Sequence, residues 1–89
     1  FLTNFPTNTW LAFERLCERR SDLIMVNVQG NSDGSSALDY TINCATGIPY
    51  ATGDGGSEGP VNHMFPAWDC ITGINAALAV LAAERHRRV

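Results

Sequence analysis

The run Leu23–Val28 (LIMVNV) constrains the fold of this chain more than any other stretch. It is almost wholly apolar and lies between the turn pair Ser21–Asp22 and the polar segment Gln29–Ser36 (QGNSDGSS). A short apolar run with such borders predicts a strand covered on both faces, the situation of a parallel sheet. A parallel neighbour requires a crossover connection, and the upstream sequence supplies one. Phe1–Phe5 reads as the end of a strand broken by Pro6. Thr7, Asn8 and Thr9 then offer capping oxygens to a helix over Trp10–Arg20, with Trp10, Phe13, Leu16 and Cys17 on one face. Strand, helix and strand in this order predict a βαβ unit and an α/β fold.

Gln29–Ser36 would then be the loop at the carboxyl end of the second strand, where ligands bind in open α/β sheets. Ala37–Thr46 predicts a short helix ended by Gly47, and Thr52–Pro60 (TGDGGSEGP) a glycine-rich loop. Pro66 introduces a long helix from about Ala67 to Arg88, with Ile71, Ile74, Leu78, Leu81 and Ala82 as its apolar stripe. That stripe has few partners in so short a chain, so a partner chain is expected to cover part of it. There is no internal repeat.

A chain of 89 residues holds one small domain at most. Folding at this size hides only about 60–65% of the unfolded surface. A hydrophobic content of 45% excludes a disordered composition. A net charge of −3 gives no reason to expect nucleic acid or an anionic membrane as partner. The uninterrupted apolar run Ala76–Ala83 is too short to span a bilayer. Cys17, Cys44 and Cys70 are odd in number and lack CxxC spacing, which argues against a disulfide framework or a structural zinc site. A reducing cytoplasm and no secretory signal are the expectations that follow. With Phe1 reading as strand and no initiator Met, the chain is expected to be an internal piece of a longer protein.

Asp69 is the principal candidate for chemistry. It falls at the N-cap or in the first turn of the long helix, where capping alone explains an aspartate. The same place suits a nucleophile: the helix dipole favours an ionised carboxylate, and the terminal N–H groups can hold an oxyanion. Both readings stand on spacing alone. The loop Gly53–Gly59 has neither GxGxxG nor GK[ST], and Asp54 and Glu58 would repel phosphate, so it reads as a surface loop. His63 lies six residues before Asp69, either packed or facing the same pocket. His86 and the Arg85–Arg88 run suit a solvated helix end. No His, Cys or carboxylate pair has metal-ligand spacing, and Cys44 and Cys70 have no evident base.

The ordered segments Ala37–Gly47 (ALDYTINCATG), Thr52–Gly53, Phe65–Asp69, Gly73 and Leu78–Ala83 are similar to the pattern of the type III (CaiB/BaiF) CoA-transferases. The resemblance covers nearly the whole chain. It implies that residues 1–89 are part of the large, CoA-binding domain, built on a Rossmann-like parallel sheet. Asp69 matches the family nucleophile and Asp39 its acidic residue at the start of the short helix. Asn4–Phe5 resembles a segment that touches CoA, although Pro6 and Thr7 replace its usual Arg-Pro. Leu38 stands where the racemase branch places a catalytic histidine, which argues against racemase chemistry. Phe1–Pro6, Asp22–Val28, Asp39–Asn43, Val61–Asp69 and Leu81–Arg88 resemble a branch that moves CoA between the two carboxyls of one branched unsaturated diacid. The resemblance thus implies catalysis by Asp69, CoA contacts from Asn4, Phe5, Leu38 and Asp39, and a substrate-facing place for His63. It also implies CoA thioester and carboxylic acid as substrates, no permanently bound cofactor, and a homodimer. A non-catalytic binding or assembly module derived from part of this fold is the alternative.

Overall fold

β1 (Leu2–Thr3) and β2 (Val26–Asn27) pair in parallel, with Leu2 opposite Val26 and Thr3 opposite Asn27. The computed structural model describes residues 1–53 and 59–89, so most of the glycine-rich loop expected over 52–60 lies outside the described residues. The Val26 N–H donates to the Phe1 carbonyl and the Val28 N–H to the Thr3 carbonyl, each at 2.9 Å. The crossover between the strands contains α1 (Phe13–Cys17), which completes the expected βαβ unit. Both strands are shorter than the apolar runs that encode them. Leu23–Val28 is only half-buried throughout, where burial on both faces was expected. A parallel ladder needs cover on each face to extend, and the two-stranded sheet has little.

The crossover helix also differs from its expected span of Trp10–Arg20. Ala12 has an extended ψ of 136°, which breaks the helical run and leaves five residues in α1. Residues before it form a turn, with the Ala12 N–H on the Thr9 carbonyl. The consequence is a different inner face. Leu11 is buried, whereas Trp10 is 72% exposed and Phe13 is exposed as well.

The chain divides into two compact units, residues 1–29 with 73–89, and residues 30–72. The first holds the βαβ unit and the later turns of α4 (Ala67–Arg88). Its buried apolar side chains among the described residues are Leu11 and Ala76. Asp22, in the turn before β2, accepts from the Arg20 Nε at 2.9 Å and the Arg87 Nη1 at 3.1 Å. Arg87 Nη1 also donates to the Asp22 carbonyl at 3.0 Å, so the end of α4 is tied to this turn. The Arg20 hydrogen bond, with the Arg87 charge adding to it, holds the Asp22 carboxyl below the usual aspartate value. Glu84 pairs with Arg88 and Arg87 one turn on, and its carboxyl is likewise held low.

The second unit contains α2 (Asp39–Ala45), α3 (Ile48–Thr52) and the first turns of α4. α2 starts two residues later than the expected Ala37. Gly47 ends it with a φ of 76°, a left-handed conformation that glycine adopts without a Cβ clash. The same residue opens α3, where Pro49 at the second position needs no helical donor. That second short helix was not foreseen in the sequence. The loop 30–37 is held by its own bonds: Asp33 Oδ1 accepts the Ser35 N–H at 2.9 Å and its hydroxyl at 2.7 Å.

α4 begins at Ala67 and runs 22 residues, as the Pro66 break and apolar periodicity predict. Its stripe is open: Ile74 is 71% exposed and Leu81 67%, and Ile71 and Leu78 are exposed too. By length and composition α4 is long and apolar enough to cross a membrane, a wider measure than the run 76–83 alone gives. A helix buried inside a larger protein meets the same two criteria.

Candidate active site

A helix leaves its first four N–H groups without intrahelical partners, and a Ser, Thr, Asp or Asn just before it normally accepts one of them. Before Ala67 stands Pro66, which has no side-chain acceptor. The missing oxygen comes from α2. Asp39 Oδ2 accepts the Trp68 N–H at 2.7 Å and the Asp69 N–H at 3.3 Å. The Ala67 N–H donates to the Phe65 carbonyl at 2.8 Å and the Cys70 N–H to the Pro66 carbonyl at 3.2 Å. Pro66 has no N–H, so the three unpartnered donors, on Ala67, Trp68 and Asp69, are all engaged, and the Cys70 bond is the first regular bond of the helix.

Asn43, one turn along α2 from Asp39, reinforces the joint. Its Oδ1 accepts the Trp68 indole N–H at 3.1 Å, and its Nδ2 donates to Asn62 Oδ1. Asn43 is completely buried and Asp39 is 5% exposed. Positions i and i+4 share one helix face, so the pair presents two buried polar groups to the backbone and ring of residue 68. Asp39 Oδ1 is buried with no hydrogen-bond partner among the described residues.

Asp69 is the third residue of α4 and its side chain is exposed. It lies in the first turn, as expected, but does not cap. Two expectations are thereby corrected. The capping explanation of Asp69 fails, because Asp39 supplies the capping oxygen. The helix N-terminus is also no oxyanion site in this arrangement, because its donors are occupied. Sequence reading missed Asn43 and Trp68. The usable signal was Pro66 standing where a well-marked helix needs a capping side chain.

His63 belongs to the same unit; it is half-buried, and its Nδ1 is buried with no hydrogen-bond partner among the described residues. Leu38 is the N-cap residue of α2 and is 70% exposed, with its N–H on Thr41 Oγ1 at 2.9 Å. Asn4 and Phe5 belong to the other unit and are exposed; the Phe5 N–H donates to Thr3 Oγ1 at 3.0 Å.

Residues 3–89 match the family described as CoA-transferase family III, and the chain belongs to that family of enzymes. Over all 89 residues it is 52% identical to 2-methylfumaryl-CoA isomerase of Chloroflexus aurantiacus strain ATCC 29366 / DSM 635 / J-10-fl. The chain spans 22% of the length of that relative.

Proposed function

We propose that this chain carries the nucleophile, Asp69, of a CoA transfer between carboxylic acids. The observation that carries the reading is the exposed Asp69 carboxylate in a helix turn whose cap is already provided by Asp39. A carboxylate so placed is free for covalent catalysis. Its oxygen attacks the thioester carbonyl, the C–S bond breaks, and CoA thiolate leaves a mixed anhydride. The thiolate attacks the Asp69 acyl carbon, freeing the donor acid and forming an aspartyl-CoA thioester. An acceptor carboxylate attacks that thioester and expels the thiolate again. The thiolate then takes the acceptor acyl group and Asp69 is regenerated.

The similarity to a 2-methylfumaryl-CoA isomerase favours an intramolecular version, in which both carboxyls belong to one branched unsaturated diacid. Asn4, Phe5 and Leu38 would contribute CoA contacts, and His63 would orient the second carboxyl; the buried Asp39 would serve the site through the Trp68 and Asp69 amides it holds. Activity would reside in a protein of the relative's length, working as a dimer in the cytoplasm. α4 would be a core helix of that protein rather than a membrane span. Asp69 in its first turn and the charged run from Glu84 to Arg88 at its end suit a helix inside a larger protein, which meets the same length and composition criteria as a span.

Asp69→Asn tests the assignment in a protein carrying this segment at the relative's length. An amide cannot form the anhydride, so activity is expected to fall by several orders of magnitude. Mass spectrometry after incubation with acyl-CoA and hydroxylamine is expected to mark Asp69 only in the wild type. Retained transfer in a folded Asp69→Asn protein would refute the assignment.

A further inference from the structure

We propose that Asp39 is a positioning residue for the reaction, setting the backbone from which the Asp69 carboxylate projects. The proposal rests on the reading of Asp69 as nucleophile. Asp39 Oδ2 holds the amides of residues 68 and 69 together, at 2.7 and 3.3 Å. Asn43 holds the Trp68 side chain at 3.1 Å. Three hydrogen bonds from one face of α2 thus converge on two consecutive residues, the second of which is Asp69.

This clamp differs from an ordinary local cap. A capping Ser or Asp moves with its own helix, so it fixes the first turn but not where that turn sits. Asp39 belongs to another helix, and both it and Asn43 are buried, so the first turn of α4 is located relative to α2. A covalent nucleophile needs such location, because a displacement of about 1 Å costs on the order of 100-fold in rate. Burial sharpens the effect: in a water-poor setting an unmet N–H is costly, and few alternative arrangements compete. Asp39 need not touch substrate to have this role.

The requirement is for an acceptor oxygen at the Oδ2 position. Asp39→Asn keeps that oxygen and Asp39→Ala removes it. In the protein of the relative's length, at a temperature where each variant is folded, Asp39→Ala is expected to lower kcat by about 10- to 100-fold. KM is expected to stay within about threefold, and the rate of hydroxylamine trapping at Asp69 to fall with kcat. Asp39→Asn is expected to recover most of kcat. If Asp39→Ala does not fold, Trp68→Phe cuts the other arm of the clamp, and a fall in kcat at constant KM is the corresponding expectation. Wild-type kcat and trapping in the folded alanine variant (or in Trp68→Phe where that replaces it) would overturn the proposal. So would a raised KM at unchanged kcat, which would make Asp39 a CoA contact only. Asp69→Asn assayed in parallel separates the two levels. An inactive Asp69→Asn beside a fully active Asp39→Ala overturns the positioning role alone, while an active Asp69→Asn overturns the nucleophile reading beneath it.

Discussion

The amide oxygen of Asn43 accepts the indole N–H of Trp68 at 3.1 Å, and no part of Asn43 reaches solvent. Trp68→Phe keeps an aromatic ring but deletes the donor, leaving the Asn43 oxygen buried and unpaired. A buried acceptor without a partner costs about 1–3 kcal/mol. The denaturation midpoint of the variant is expected to fall accordingly; an unchanged midpoint would show that water reaches Asn43.

Asp39 and Asp69 are expected to exchange the stability effects that their sequence positions imply. Asp69 occupies the first turn of α4, yet Asp69→Ala is expected to change stability by no more than about 0.5 kcal/mol. Asp39→Ala removes the acceptor of two first-turn N–H groups and is expected to cost about 1–2 kcal/mol. Chemical denaturation of both variants compares them directly, and equal losses would contradict the assignment of the cap.

Gly30 is fixed by space rather than by dihedral angle. A Cβ built there would lie 2.1 Å from the Ala37 nitrogen and 2.8 Å from the Ser35 carbonyl. Neither backbone atom can move aside unless the loop opens. Gly30→Ala is expected to break the Asn31–Ser35 bonds, read as faster hydrogen exchange at the Asn31 amide, which donates to the Ser35 carbonyl at 3.0 Å.

The Asp22 carboxyl is held below the ordinary aspartate value by its Arg20 bond first, with Arg87 assisting. A carboxyl with a lowered folded-state pKa stabilises the fold above its unfolded value. That contribution disappears as pH falls through the folded value. The tie between Asp22 and Arg87 is therefore expected to persist at neutral pH and to loosen only on the acid side of the ordinary carboxylate range. The sites are exposed, so added salt is expected to weaken the tie at neutral pH. Amide exchange over residues 84–89 against pH reads this out; loosening on the alkaline side would contradict it.

The open stripe of α4 predicts association. Each leucine or isoleucine left in water forgoes about 1.5–3 kcal/mol of burial. The isolated 89-residue chain is expected to self-associate with rising concentration in size-exclusion chromatography. A stable, well-folded monomer would show that the stripe needs no cover.

Sequence resolved the elements with strong punctuation. Pro66 and the 3.6-residue period located the start of α4 within two residues of Asp69, and LIMVNV announced the second strand of the parallel pair. Local pattern failed where neighbours decide. The Trp10–Arg20 period ignored the extended backbone at Ala12, which turns Leu11 rather than Trp10 inward. The capping role of Asp39 was hidden for a related reason: its partners lie 29 and 30 residues away, beyond any periodicity. Family resemblance drew attention to Asp39 and Asp69 separately, and only the fold revealed that one holds the backbone of the other.

Because the oxygen that completes the first turn of α4 is lent by α2, the Pro66–Asp69 segment is not a transplantable cassette. Grafted onto a foreign helix, it would arrive with two amides unanswered and an indole without its acceptor. A designer borrowing this nucleophile would have to carry Asp39 and Asn43 along as well.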